Sequence, residues 1–402
     1  MNMDLVRIKK FDKRQKYFLL QEEIFLYSWI ILLIIHCIEC TSLVYLGYSW
    51  MNILYILKKC MYLVLLAKIV FLTSGRMKEL FCIGMLLFVI FISYYRTHDF
   101  GLLGLFIVVI AAKDVSVDRI IKYTSVIKAV ATIGTIIAYK IGILPTLYYR
   151  NGSGYYNTLG FCHRNVLGAN MVFLCLVWFF YRYKDLKKED IFLWSVVSLV
   201  AYRLTYSRGS FVTMILIIIC VCLFRFQETW ILNSPVMFKC LMGGFVALIV
   251  LSIVCTIFYK TNSKFWDGLD AVFTRRFSSA NYCCEKYGWT IWGQKIPFVN
   301  SFQAQMSGNT KLILDNAYAR LLLYHGLIPG ILVLFFYGKA IKQAYQHMDG
   351  ATVVCLLIMA IYGLVERYMI DIFYQFPLFV AFQYFFDLES LEGKDMSEGR
   401  NA

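Results

Sequence analysis

The stretch "VLGANMVFLCLVWFFY" (residues 166–181) decides the fold. It holds no charge and one strongly polar side chain, Asn170, over almost the length that a bilayer span requires. Outward from it, similar runs recur at 24–46, 53–73, 79–95, 99–112, 119–142, 190–206, 209–226, 239–259, 316–337, 351–371 and 372–386, which with 166–183 makes about 12. The fourth and twelfth are short and the last pair is nearly continuous, so 11 or 13 spans remain open. Composition agrees: 402 residues, 60% hydrophobic, 17% aromatic and 16% charged, with mean hydropathy +0.64. Backbone polar groups in lipid must be satisfied within the segment, so the spans are helices, and the ten-residue alternation of a membrane barrel is absent. The expected fold is an all-α polytopic integral membrane protein, one membrane domain over 1–402 with a short polar tail at 387–402.

Charge sets the orientation. Six basic residues precede the first span, in "MNMDLVRIKKFDKRQKYFLLQEE". No small-residue cleavage site follows, which reads as an uncleaved anchor with a cytoplasmic N-terminus. Alternate loops then agree. The inside ones hold Arg76 and Lys78; Lys113, Arg119 and Lys122; Arg182, Lys184, Lys187 and Lys188; Lys339 and Lys342. The short outside ones hold none (47–52), Arg96, Arg150 with Arg164, Arg208, and Arg367. Both termini and the tail fall in the cytoplasm. The net charge of +15 is mostly this orientation signal, and no nucleic-acid motif accompanies it.

Several chemistries drop out. The 13 cysteines lie nearly all in apolar runs, where cysteine acts as a small hydrophobe. Cys37 and Cys40 have C-x-x-C spacing without a second ligand pair, and the adjacent Cys283 and Cys284 suit no ordinary disulfide. Zinc spacing, a P-loop, GxGxxG, GxSxG and internal repeats are absent.

One connection is long. Residues 260–315, between the ninth and tenth predicted spans, fall outside the cell membrane by the same parity. They carry seven Lys/Arg against four Asp/Glu, with three Trp and several Phe and Tyr. That is too aromatic for disorder. Interleaved basic and flat aromatic residues suit a ligand with phosphates and sugar rings; an interfacial aromatic belt is the plainer reading.

Polar clusters gather on this outer face: Arg150, "GFCHRN" (160–165), "TYSRGS" (205–210), "FTRRF" (273–277) and "LDNAY" (314–318). Each sits at a span end, where ionisable groups are costly and mark function by default. Each also has a plain structural role open to it. Arg208 can snorkel to the headgroups, and Asn165 and Asp315 are good helix N-caps.

These elements carry a resemblance. "LGFCHRNVLGAN" looks like the G-F-x-H-P-N-x-x-G element of Wzy-type polysaccharide repeat-unit polymerases, with Arg164 where the family has proline. "TYSRGSFVT" resembles their T-x-S-R-[GS], and "FTRRFSSANYCCEKYGWTIWGQKI" their G-R-[IF]…Y-G…-[LF]-x-G-Q-x-I. "LDNAYARLLLYHGLIPG" resembles D-N-S-Y-x-x-L-L-x-x-x-G-x-[IL], and "ERYMIDIFYQFPLFVAF" the closing E-x-x…-[YF]-[NQ]-F. Five elements in the same order cover most of residues 150–375, and the O-antigen ligases are more distantly similar.

The resemblance implies a GT-C-like membrane glycosyltransferase of the bacterial plasma (inner) membrane, acting in capsule, exopolysaccharide or O-antigen synthesis. Its substrate is an undecaprenyl-diphosphate-linked oligosaccharide. The growing glycan moves from one lipid diphosphate onto the non-reducing end of a new lipid-linked repeat at the outer leaflet. The flippase and chain-length regulator of the same pathway are implied partners alongside the lipid bilayer, and nucleic acid is not. No metal or cofactor is implied, because the diphosphate bond is already activated. The transfer needs positive charge for the leaving diphosphate and a base for the acceptor hydroxyl. Arg208 and Arg276, helped by Arg275 and Arg150, are candidates for the first. Asp315 and His163 compete for the second: Asp315 matches the position of a ligase histidine, whereas His163 has the better intrinsic pKa, about 6.5. Arg164, Asn165, Asn316, Tyr318, Gln294 and Glu366 are the remaining implied substrate-binding residues. Two rivals stay open. A ligase transfers finished glycan to another acceptor. A lipid-linked oligosaccharide flippase lines its centre with mid-span cations, which here are few (Lys58, Lys59, Lys68, Lys128, Arg203).

Overall fold

The computed structural model describes the backbone of residues 2–71, 77–145, 147–151, 154–300, 302–304, 308 and 311–385; the 387–402 tail lies outside the described residues. In chain order the helices are α1 (Asn2–Glu39), α2 (Trp50–Phe71), α3 (Met77–Thr97), α4 (Gly101–Ala111), α5 (Val117–Lys140), α6 (Arg164–Arg182), α7 (Lys188–Thr205) and α8 (Arg208–Phe226). They continue as α9 (Glu228–Asn233), α10 (Pro235–Phe258), α11 (Lys264–Val272), α12 (Arg276–Tyr287), α13 (Leu327–Gln346), α14 (Gly350–Tyr362) and α15 (Phe376–Phe385). Among the described residues seven helices are long and apolar enough to cross a membrane: Leu19–Glu39 within α1, Leu80–Thr97 within α3, α5, α6, α8, α10 and α13. The protein is a helical polytopic membrane protein. Among the described residues the one sheet is a hairpin of β1 (Tyr148–Asn151) and β2 (Gly154–Asn157), which hydropathy does not reveal.

Each predicted apolar run contains helix, but four are redrawn, the 372–386 run holding only the short α15 after a 3-10 turn. The 99–112 run is α4, whose 11 residues are too short to span; all but Gly101 are buried among neighbours. The 316–337 run breaks. Ala317–Ala319 runs into a π turn, Arg320–Tyr324, then Gly326 at φ +100° reverses the chain and α13 starts at Leu327. The 351–371 run stops at Tyr362, beyond which the chain is irregular, with 3-10 turns at Arg367–Ile370 and Ile372–Tyr374. The long connection is folded too, through α11, α12 and a segment locked by two glycines. An added Cβ at Gly293 (φ +94°) would lie 2.6 Å from the His325 carbonyl oxygen, and one at Gly326 would strike the Gly293 nitrogen.

The helices alternate between two ends. At one, the Ser116 amide bonds Glu22 at 3.3 Å and Gln383 bonds the Val115 carbonyl at 2.7 Å, so α1 and α15 both reach the turn before α5. At the other, Thr41 bridges Phe161, next to the start of α6. Water cannot drive helices together inside lipid, so close packing and interhelical hydrogen bonds do. Gly168 on α6 admits the Ser210 side chain of α8, and Ser210 shares a 3.0 Å hydrogen bond with Tyr362 at the end of α14. Three chain segments important below are thereby fixed at one end of the bundle.

Candidate active site

Local folding aims the site residues. At the start of α6, His163 is the N-cap: its Nδ1 accepts the Asn165 amide at 3.1 Å. The expected cap, Asn165, is left free to reach across the site. Before α12, Asp270 accepts the amides of Phe277 (2.8 Å) and Ser278 (3.2 Å), pinning the turn that carries Arg276. Phe277, Ala280 and Cys283 bury the other face of α12. Before the π turn, Asn316 rather than Asp315 caps the helix, accepting Ala319 N at 3.0 Å. The Ala317 amide bonds the Gly363 carbonyl at 2.8 Å, tying this segment to the irregular stretch after α14.

These segments converge on one guanidinium. Arg276 Nη1 lies 2.5 Å from Asp315, Nη2 lies 2.7 Å from Glu366 Oε1, and Nε donates to the Val365 carbonyl at 2.8 Å. Asn165 Nδ2 donates to the same Glu366 Oε1 at 2.7 Å. Four segments that are far apart in sequence thus meet in one network. Arg208 stands beside it at the start of α8, where the next residue, Gly209, packs against Val365. Lys311 lines an adjoining surface pocket of about 190 Å³ with Ser278, Ser279 and Tyr282.

Electrostatics separates the acids. Burial works to raise Asp315, but Arg276, Arg367, His163 and Lys311 together hold it below the usual carboxylate value. Glu366 goes the other way: burial lifts its carboxyl to about 7, against the pull of Arg276 and with the push of Asp315. Both hydrogen bonds to Glu366 fall on Oε1, which leaves Oε2 for a further partner. His163 is lowered to about 4, by burial first and then by Lys311, Arg164 and Arg276 against Asp315, so it is neutral at pH 7. Its Nδ1 accepts, so Nε2 carries the proton. Asp315 and His163, the two sequence candidates for base, are both poor bases in this setting. Glu366, expected only to bind substrate, has the matched acidity.

The other expected residues divide. Arg164 and Asn165 belong to the network's surroundings, and Arg208 is exposed at its edge. Arg275 is exposed, in the left-handed conformation at φ 61°, and no ion pair involves it among the described residues. Three are structural instead. Asn316 is wholly buried and takes the Ser252 hydroxyl at 2.9 Å; Tyr318 is wholly buried and donates to the Ala360 carbonyl at 2.7 Å. Gln294 staples the loop, donating to the Gly288 carbonyl at 2.8 Å and the Leu323 carbonyl at 3.2 Å. The side chain of Arg150 lies outside the described residues. Sequence reading missed Arg367 and Lys311 as site residues, although the first lies within a quoted motif and the second just before one.

Three of the mid-span lysines are occupied, whereas Lys59 is exposed. Lys68 donates to the Ala111 carbonyl at 2.6 Å, Lys58 pairs with Glu39 at 2.6 Å, and Lys128 donates to Asn170 at 3.2 Å and lies 3.6 Å from the Tyr374 ring centre. No family model, curated protein or solved structure matches this chain.

Proposed function

We propose that this protein is a membrane glycosyltransferase that polymerises lipid-diphosphate-linked oligosaccharide repeats, in a GT-C-like arrangement with the Arg276 network on the extracytoplasmic face. The observation that supports it most is the meeting of Asn165, Arg276, Asp315 and Glu366, one residue from each of four motif-like segments. Transfer at an anomeric carbon needs cations opposite the leaving diphosphate and a base near the acceptor hydroxyl. Arg164, Arg208 and Lys311 supply cations around the network, and Glu366 Oε2 is the base. Asp315 keeps Arg276 in place. His163, neutral, offers a hydrogen bond to the glycan. The engaged state of Lys58, Lys68 and Lys128 gives little support to the flippase reading, which needs cations open to a central cavity.

The test is purified protein in nanodiscs with a synthetic lipid-linked repeat. A ladder of products is expected. A single transfer to an unrelated acceptor would instead favour a ligase, and translocation without new bonds a flippase.

A further inference from the structure

The sequence offers 13 cysteines without a framework, but the fold sets two of them opposite each other. Just past the end of α1, Thr41 bridges Phe161 in an isolated antiparallel pair. Two backbone hydrogen bonds flank it. The Cys162 amide donates to the Cys40 carbonyl at 2.9 Å, and the Ser42 amide donates to the Gly160 carbonyl at 2.8 Å. That register puts Cys40 directly across from Cys162. Opposed, hydrogen-bonded residues of an antiparallel pair hold their Cα atoms about 5.5 Å apart, with side chains on one face. The same separation is typical of disulfide-bonded cysteines.

Packing agrees with the register. Cys40 and Cys162 are both half-buried, and both lie against one small cluster of Leu159, Phe161, Val166 and Leu167. The approach to Cys162 is fixed by a left-handed turn, with Leu159 at φ 53° and Gly160 at φ +84°. A Cβ added at Gly160 would lie 3.0 Å from the Tyr139 Cβ, so the turn cannot drift toward α5. A proton acceptor stands beside the pair. His36, one turn before Cys40, has its Nε2 3.5 Å from the Cys40 Sγ, and its ring stacks on Phe373 at 4.0 Å. Burial pushes the Cys162 thiol up to about 11 and raises Cys40 as well, so reaction at neutral pH needs such a base.

We propose that Cys40 and Cys162 are a disulfide pair that ties the end of α1 to the segment leading into His163 and Asn165. The oxidant is itself a disulfide, either a small one such as glutathione disulfide or that of an oxidoreductase. Cys40 gives its proton to His36, and the thiolate attacks one sulfur of the oxidant to form a mixed disulfide. Cys162 then attacks the Cys40 sulfur, losing its own proton, and displaces the second half. Two S–H bonds and the oxidant's S–S bond break, and the Cys40–Cys162 bond forms. The protein loses two electrons and two protons, which leave on the oxidant's two thiols. The bond closes a loop of 162 − 40 = 122 residues, a strong restraint on the unfolded chain. A Cys37–Cys40 bond would close only one turn of chain and restrain little. An oxidising compartment at this end rests on the extracytoplasmic placement proposed above.

The full chain in nanodiscs is reduced, exposed to glutathione disulfide, alkylated, digested and read by mass spectrometry. The alkylated Cys40 and Cys162 peptides should disappear together, replaced by one linked peptide. Cys37→Ser should keep the link and Cys40→Ser should lose it. Oxidised wild type should melt above reduced wild type, whereas Cys162→Ser should melt alike in both states. Alkylated Cys40 and Cys162 that persist in oxidised wild type overturn the proposal, as does a Cys40 linked to Cys37. These readings on wild type hold whether or not a variant folds. Intact cells alkylated before lysis then test the orientation separately. A link that forms in nanodiscs but is missing from cells keeps the pair and removes the extracytoplasmic placement. A reporter after Lys311 exposed outside, with no link in nanodiscs, does the opposite.

Discussion

Two polar regions of this protein use similar residues to opposite ends. In the first, around Lys128, the cation is 1% exposed, bonded to Asn170 and covered by the Tyr374 and Phe173 rings. The adjoining space is about 10 Å³, room for one water. Lys128 and the nearby Asp371 each have a neutral hydrogen-bond partner there, Asn170 and the Phe373 amide. In the second, around Arg276, the acids are paired, while Arg208 and Lys311 nearby reach solvent. Charge in a membrane protein marks function when it is left over, and marks architecture when it is fully answered.

The largest expected effect lies in the second region. Glu366→Gln keeps a hydrogen-bonding side chain but cannot take a proton, and polymer formation should fall by about 10²–10⁴-fold. Normal polymer in that variant would move the base elsewhere, with Asp315→Asn the next substitution to assay. Arg276→Gln comes second. It leaves the buried Glu366 and the half-buried Asp315 without their main counter-charge and should cost about 3–5 kcal/mol, read as thermal unfolding in detergent. Unchanged stability would mean that Arg276 is not a strut. Gly326→Ala should follow, at about 1–3 kcal/mol, because a Cβ at positive φ also collides with the Gly293 backbone; faster proteolysis within residues 288–298 is the readout. The smallest effect belongs to the first region. Lys128→Met replaces a buried cation bonded to one neutral amide by an apolar side chain of similar length, and stability should fall by only about 1 kcal/mol, the net value of the lost Asn170 hydrogen bond. Polymer lost in a well-folded Lys128→Met protein would erase the contrast between the two regions.

Much of the helical frame was legible because lipid demands long apolar runs, and such runs are visible letter by letter. The breaks were not. "AYARLLLYHGLIPG" (317–330) reads as continuous span, yet its π turn and the positive φ of Gly326 depend on close packing against Gly293, more than thirty residues earlier. "VERYMIDIFY" (365–374) carries three charges yet fell within two predicted apolar runs, and the fold shows it to be irregular backbone. The site was legible as a set of motifs at span ends. Its internal roles were not, since a carboxylate's strength as a base depends on its neighbours. Asp315 loses basicity to Arg276, whereas Glu366 gains it from burial.

The most direct measurement is the rate of ladder elongation by purified protein on a lipid-linked repeat, followed from pH 5 to 9. A base must be unprotonated to act, and Glu366 is raised to about 7, so the rate should climb with pH through the neutral range and then level. In Glu366→Gln the small residual rate should show no such step. No ladder at any pH, or a wild-type rate that stays flat through neutrality, would contradict the assignment of the Arg276 network as a transferase site with Glu366 as its base.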